Sequence, residues 1–240
     1  MSLLRDLARF VAPPICPACG RRLYGNVHGV CAACWQSLGR VPYDNEPEHG
    51  HIERFFWGRL PVGHATAMFY YDDDVRAIVH DMKFHAHPEL GYHISRAWAQ
   101  EMAGTDFFHG VECIVPLPLH PLRKMARGYN QSTYIARGLS SVTSLPVLKD
   151  VVVRRGRLRQ QARLSRLDRW ENVEGRFRLV RPERIAGRHV LLVDDVFTTG
   201  STLLACAQQL ALAPSVTVSI LAFAYANRRI LQVPQQAVGE

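Results

Sequence analysis

Two clusters in this sequence combine residue types and spacing that could do chemistry. The first is V-L-L-V-D-D-V-F-T-T-G-S-T-L at 190–203. Val190 to Val193 read as a buried strand, closed by the adjacent carboxylates Asp194 and Asp195. Thr198, Thr199, Gly200, Ser201 and Thr202 come next, and then an apolar-periodic helix. In open α/β sheets, ligands bind outside the carboxyl ends of the strands. The free N–H groups and dipole of the next helix receive a phosphate. Gly200 lets the backbone approach closely, and the four hydroxyls around it add donors. Two neighbouring carboxylates can accept hydrogen bonds from two vicinal sugar hydroxyls. One segment therefore fits a sugar 5-phosphate together with its ring hydroxyls. A helix cap alone accounts for Thr199 or Ser201. It does not account for two acids ending an apolar strand. A response-regulator-like acid pair would be followed by a phosphoacceptor strand, and none is present here.

The second cluster is C-P-A-C at 16–19 and C-A-A-C at 31–34, with eleven residues between the two pairs. Each Cys-x-x-Cys can form a tight knuckle that presents two thiolates to one ion. Four thiolates in tetrahedral geometry favour zinc over hard cations. Gly20 comes just after the first pair, where a knuckle often needs a positive φ. Cys16, Cys19, Cys31 and Cys34 are thus candidate ligands of a structural Zn²⁺, with no position left open for catalysis. The alternative is two disulfides, which a reducing cytosol disfavours. Cys113 and Cys206 stand alone among apolar residues and read as core thiols.

The elements that must position these clusters can be read from periodicity. A short helix is expected over 1–12, ended by Pro13 and Pro14. The stretch 39–60 reads as a linker, with Phe55, Phe56 and Trp57 docking it on the next domain. Strands are expected at 64–72, 111–118, 147–155, 189–196 and 215–226. Helices are expected at 73–80, 90–102, 130–140 and 201–212, and 163–170 reads as helical or mobile. Strands alternating with helices predict a parallel or mostly parallel sheet covered on both faces.

Composition is that of a globular protein, with 48% apolar and 21% charged residues. No stretch approaches the roughly 20 apolar residues of a membrane span. The start, M-S-L-L-R-D-L-A-R-F, is broken by charges and does not read as a secretory signal, so a cytoplasmic location is expected. The net charge is +8, and all the basic residues but Lys83, Lys124 and Lys149 are Arg. Arg binds phosphate through a bidentate fork, so the bias suits a phosphate-rich ligand or a nucleic acid, or reflects Arg-rich codon usage. Between Arg154 and Arg188, twelve Arg face four acids.

The 190–203 loop resembles the phosphoribosyl pyrophosphate (PRPP) motif of type I phosphoribosyltransferases. The whole chain resembles the ComF/GntX-like (competence protein F) family. The resemblance rests on the cysteine cluster, V-P-L-P at 115–118, R-G-Y-N-Q at 127–131, Arg169 with Asn172, and the loop itself. It implies a parallel-sheet type I phosphoribosyltransferase domain over 61–232 and a tail at 233–240. Before these would come a helix and zinc-finger module over 1–38 and a linker over 39–60. It implies that Asp194 and Asp195 hold the ribose hydroxyls and that Thr198 to Thr202 hold the 5-phosphate. Mg²⁺ would arrive with the pyrophosphate. Arg123, Lys124 and Arg127 become candidate pyrophosphate cations, and Lys83, in M-K-F-H, a further phosphate ligand. Arg154, Arg155, Arg159, Gln161 and Arg169 would belong to a mobile hood, although Leu158 stands where a Thr is common. The implied reaction is substitution at ribose C1 with loss of pyrophosphate. Competence proteins of this family are linked to DNA uptake, so single-stranded DNA and competence-machinery proteins are the expected partners. A non-catalytic DNA-binding role is the alternative.

Overall fold

A computed structural model describes residues 14–23, 29–43, 51–85, 87–155 and 176–226. Helices α1 (Ala32–Ser37) and α2 (His51–Phe56) precede strand β1 (Ala65–Tyr70). Helices α3 (Asp73–Phe84) and α4 (Glu89–Met102) lead to β2 (Cys113–Pro116). Then come α5 (Pro121–Arg127), α6 (Gln131–Thr143), β3 (Val152–Arg154) and β4 (Phe177–Leu179). The chain continues through β5 (His189–Phe197), α7 (Ser201–Leu210) and β6 (Thr217–Tyr225). The expected helix at 1–12 and the segment 163–170 lie outside the described residues.

Four strands make one sheet in the order β1-β6-β5-β2, and every pairing in it is parallel. The central strands read as unbroken apolar runs because both faces are covered. Leu191 and Val193 of β5 join a core with Ile78 and Met82 of α3, Ile94 and Trp98 of α4, and Ile135 and Leu139 of α6. Val190 and Leu192 face the other core, with Leu203, Cys206 and Leu210 of α7.

Small residues set how closely the helices approach. A Cβ on Gly138 of α6 would lie 2.0 Å from Ser95 Oγ and 2.3 Å from the Tyr92 carbonyl of α4. Ser95 itself is buried and donates to the Gly91 and Ile135 carbonyls at 2.6 and 2.9 Å. This seam fixes the start of α6 beside β2. Helix α3 is started by Asp72, whose carboxylate accepts the Val75 N–H at 2.8 Å. The helix runs on to Phe84, past the expected end at 80, and so carries Lys83 to the carboxyl end of the sheet.

Three features depart from the expectations drawn from periodicity. The strand expected over 147–155 shortens to Val152–Arg154 and pairs antiparallel with β4 in a separate two-stranded ribbon. The basic stretch after β2 is a helix, α5. Pro121 starts it, Gly128 ends it at φ 79°, and none of its residues is buried. The stretch expected to be a linker contains α2, whose Phe56 is fully buried while Trp57 is 67% exposed.

The cysteine module shares a core with the sheet. Cys16, Leu23, Val30, Cys34 and Leu38 pack with Met68, Phe69 and Trp98. Arg40 clasps the two parts together. It donates to both oxygens of Glu101 at 2.8 and 2.9 Å and to the Trp35 and Leu38 carbonyls at 3.0 and 3.1 Å. Its guanidinium also lies 4.8 Å from the Trp35 ring centroid. Among the described residues no helix is long and apolar enough to cross a membrane.

Candidate functional site

The apolar run 190–193 stops at the acid pair, but the strand does not, in keeping with the expected span 189–196. β5 continues through the pair to Phe197, because β6 is long enough to keep pairing as far as Tyr225. On the other edge β2 stops at Pro116, opposite Val193, and Leu117 donates its N–H to the Val193 carbonyl at 2.8 Å. Asp194 and Asp195 therefore lie one step beyond the end of a shorter neighbour.

Successive side chains of a strand point to opposite faces. Asp195 follows Leu191 and Val193 toward α3 and meets Lys83 Nζ at 2.9 Å. The two side chains are only 18% and 21% exposed. Asp194 accepts a hydrogen bond from Ser132 Oγ at 3.2 Å. Burial, and then the neighbouring Asp195 charge, push the Asp194 carboxyl up to about 7. The Asp195 N–H, Lys83 and Ser132 pull it the other way. Arg154 of β3 lies in the same field. Burial lowers its pKa, Arg176 and Arg123 add to the effect, and Asp194 opposes it. Its guanidinium stacks 5.4 Å from the Phe177 ring centroid.

The hydroxyl loop comes next in the chain. Thr198 and Thr199 are exposed, and Thr199 Oγ1 lies 3.0 Å from Ser201 Oγ. Gly200 caps α7 in the left-handed conformation, φ 70°, with no side-chain capping bond. The first intrahelical bond runs from Leu204 N–H to the Gly200 carbonyl at 2.9 Å. The amides of Ser201, Thr202 and Leu203 precede it and have no acceptor within the helix. A Cβ at Gly200 would lie 2.5 Å from Phe55 Cε1 and 2.7 Å from Phe197 Cζ. The aromatic residues of α2 thus back the loop from behind, with Phe55 edge-on to Phe197 at 5.5 Å.

Several site-building residues carry no ligand signature in the sequence. Asn130 caps α6 by accepting the Ser132 N–H at 3.3 Å, and its Nδ2 donates to the Leu117 carbonyl at 2.9 Å. Tyr129 donates to the Met82 carbonyl at 2.7 Å, tying the end of α3 to the same loop. An Asn before an apolar-periodic helix is a readable cap. The Ser132 to Asp194 bond has no such signature.

Of the candidate cations, Lys83 and Arg154 flank the acid pair. Arg123, Lys124 and Arg127 stand on exposed α5, with Arg127 stacked 5.1 Å from the Phe84 ring centroid. Arg155 lies just after β3 and its N–H bonds the Arg176 carbonyl at 2.8 Å. Arg159, Gln161 and Arg169 lie outside the described residues. A cavity of about 540 Å³, lined by Glu53 and residues 57–63, opens at the opposite end of the sheet.

The four cysteines converge. All their Sγ atoms lie within 4.8 Å of one another. A tetrahedral site with Zn–S of about 2.3 Å has S···S edges of about 3.8 Å, so the set fits that ion. The first knuckle closes by a bond from Gly20 N–H to the Cys16 carbonyl at 2.9 Å. In the second, Cys31 caps α1, and its sulfur accepts the Cys34 N–H at 3.5 Å. That amide bond is the main cause pulling the Cys31 thiol down to about 7.

No family model matches the chain. It is 42% identical over 93 residues to competence protein F of Haemophilus influenzae, a match covering 38% of this chain and 41% of that protein. Against that relative, then, the chain spans about two fifths of its length. It is 31% identical over 218 residues to the DNA utilization protein YhgH of Salmonella typhimurium, covering 87% of this chain and 95% of that one. Among solved structures, an adenine phosphoribosyltransferase is similar over 60% of this chain and 74% of its own, at 14% identity and a TM-score of 0.40. The near-full-length match to YhgH settles the membership: the chain belongs to the ComF/GntX-like family, with competence protein F and YhgH.

Proposed function

We propose that this chain binds PRPP with Mg²⁺ and transfers or processes its phosphoribosyl group, in the service of DNA utilisation. One observation carries the reading. The acid pair of β5, the hydroxyl loop and the unpaired amides of α7 are contiguous beyond the end of β2. Asp194 and Asp195 accept the ribose hydroxyls. Ser201, Thr202 and Leu203 N–H groups, with the Thr and Ser hydroxyls, take the 5-phosphate. Arg154 and Lys83, beside the acid pair, and the cations of exposed α5 are the groups that would meet the pyrophosphate of PRPP. Mg²⁺ arriving with PRPP would supply counter-charge to the diphosphate leaving C1. The cations on the protein hold the departing group.

Calorimetric titration with PRPP, with and without Mg²⁺, tests the reading. Saturable Mg²⁺-dependent binding is expected, and no binding under either condition would reject it. Pyrophosphate release with candidate acceptors then separates turnover from binding. The cysteine cluster is a structural zinc site on this reading. Protein purified without added metal should hold about one zinc per chain, and a metal-free preparation with an intact fold would rule the site out.

A second reading has its own support. Helix α5 carries Arg123, Lys124 and Arg127 with no acid, beside exposed Leu122, Met125 and Phe84. Cations interleaved with exposed apolar and aromatic groups suit single-stranded DNA. That role requires an affinity that falls steeply as salt rises.

A further inference from the structure

Lys83 occupies an unexpected place for a phosphate ligand. Its ammonium is 2.9 Å from Asp195 Oδ2, paired with the acid expected to hold the sugar. The pair covers itself, leaving Asp195 only 18% and Lys83 21% exposed. Asp81, the acid nearest Lys83 on α3, is already engaged by His85 Nδ1 at 2.6 Å and His87 Nδ1 at 3.0 Å. Asp195 is thus the acid that Lys83 meets. The backbone at this point is held, because Tyr129 grips the Met82 carbonyl. What remains free to swing is the four-carbon side chain itself.

From this we infer that Lys83 is a specificity latch, restricting the site to ligands that bring a vicinal diol and an anionic phosphoryl group together. The inference rests on the PRPP reading of the acid pair. A neutral riboside offers hydroxyls to Asp195 but nothing to the ammonium lying over it. Displacing Lys83 would strand a cation in a largely covered site, which is costly. A phosphorylated sugar supplies that cation with a new partner as its hydroxyls take the carboxylate. The ammonium moves from carboxylate to phosphate, and the carboxylate takes the two sugar hydroxyls in its place. Free nucleosides and free ribose are excluded by the same exchange. Asp194 feels the Lys83 charge, but its described side-chain hydrogen bond is to the Ser132 hydroxyl, so the ion pair that opens is the one with Asp195.

The test uses the full chain and two probes, methyl β-riboside by NMR titration and Mg²⁺-PRPP by calorimetry. Each is run on wild type, Lys83→Met and Lys83→Arg, with Lys83→Gln as a second neutral variant should Lys83→Met not fold. The neutral variant is expected to bind the riboside about tenfold more tightly than wild type and PRPP about tenfold more weakly. Lys83→Arg should restore the wild-type preference. A gain of riboside affinity is not something a merely damaged site would show. If PRPP binding weakens while riboside binding is unchanged or falls, Lys83 is a simple phosphate contact and the latch is overturned, though the PRPP reading stands. If wild type binds no PRPP, that reading fails and the latch fails with it.

Discussion

The two ends of β5 both gather titratable groups, and they use them in opposite ways. At the amino end, His189 Nε2 lies 2.7 Å from Ser219 Oγ, and His64 Nδ1 lies 3.1 Å from the same oxygen. The His64 N–H also bonds it at 3.1 Å. Ser219 is fully buried, and the rings of Tyr43 and Phe107 pack against His64. Burial, and then His189, lower His64 to about 4, so it is neutral at pH 7. Burial lowers His189 too. At the carboxyl end stand two acids, a cation and the uncapped start of α7. At the amino end both imidazoles turn to the one buried Ser219 hydroxyl, His64 Nε2 is left buried without a partner among the described residues, and burial discharges the histidines. The carboxyl end keeps charge and donors in reserve. A titratable cluster becomes a ligand site through that reserve, and clustering alone does not supply it.

Substitutions at the two ends should separate them. Asp195→Asn is expected to weaken Mg²⁺-PRPP binding by about a hundredfold, the order lost with a charged hydrogen-bond partner. Ser219→Ala should leave that affinity unchanged and lower stability by about 1–3 kcal/mol, because two half-buried imidazoles lose their partner. Calorimetry and urea denaturation on both variants read the difference. Equal losses of affinity would mean that the two ends are one coupled unit. A smaller effect is expected behind the phosphate loop. Gly200→Ala forces a positive φ and a contact with Phe55 and Phe197, and should cost about 2 kcal/mol of stability and about tenfold in PRPP affinity. Adding Phe55→Ala should return part of the stability, since one of the two clashing rings is gone. A double-mutant cycle measures the return, and strict additivity would show that Phe55 does not back the loop.

Much of this contrast is legible in the sequence, and the reason differs from residue to residue. The parallel sheet shows because β5 and β6 are apolar on both faces, which only a doubly covered strand tolerates. The loop shows because acids, a glycine and hydroxyls sit in one continuous segment. The cysteine site shows because Cys-x-x-Cys spacing is itself a local geometry. What stays hidden depends on contacts between distant segments. Ser132 reaches Asp194 across 62 positions, and Phe55 supports Gly200 from a stretch with the composition of a linker. That the acids lie beyond the end of β2 depends on the relative lengths of β2 and β5, which no single segment reveals. α5 escapes sequence reading because its residues bury nothing, so it leaves no apolar stripe. The Arg-rich hood is legible as composition, and of it the described residues include Arg154 and Arg155.

The sharpest test of the contrast lies in pH dependence, because the two ends should carry opposite slopes. Asp194 is raised from 3.8 to about 7 in the folded chain. Between those values the native state holds a proton that the unfolded state has lost. Its contribution to stability therefore falls as pH rises from about 4 to about 7. His64 is lowered from 6.5 to about 4. Between those values the unfolded state holds the proton and the native state does not. Its contribution rises with pH across that window and is fully present above 6.5. Each slope approaches about 1.4 kcal/mol per pH unit, so in wild type the two largely cancel over the shared window. Asp194→Asn should remove the first slope, so that relative to wild type the variant loses stability on going from pH 6.5 to pH 5. His64→Gln should do the reverse, its stability improving relative to wild type as pH falls. Urea denaturation of all three proteins at the two pH values gives the signs directly. Differences of the same sign in both variants would mean that the acid pair and the histidine pair are not opposed, and the contrast between the two ends of β5 would have to be abandoned.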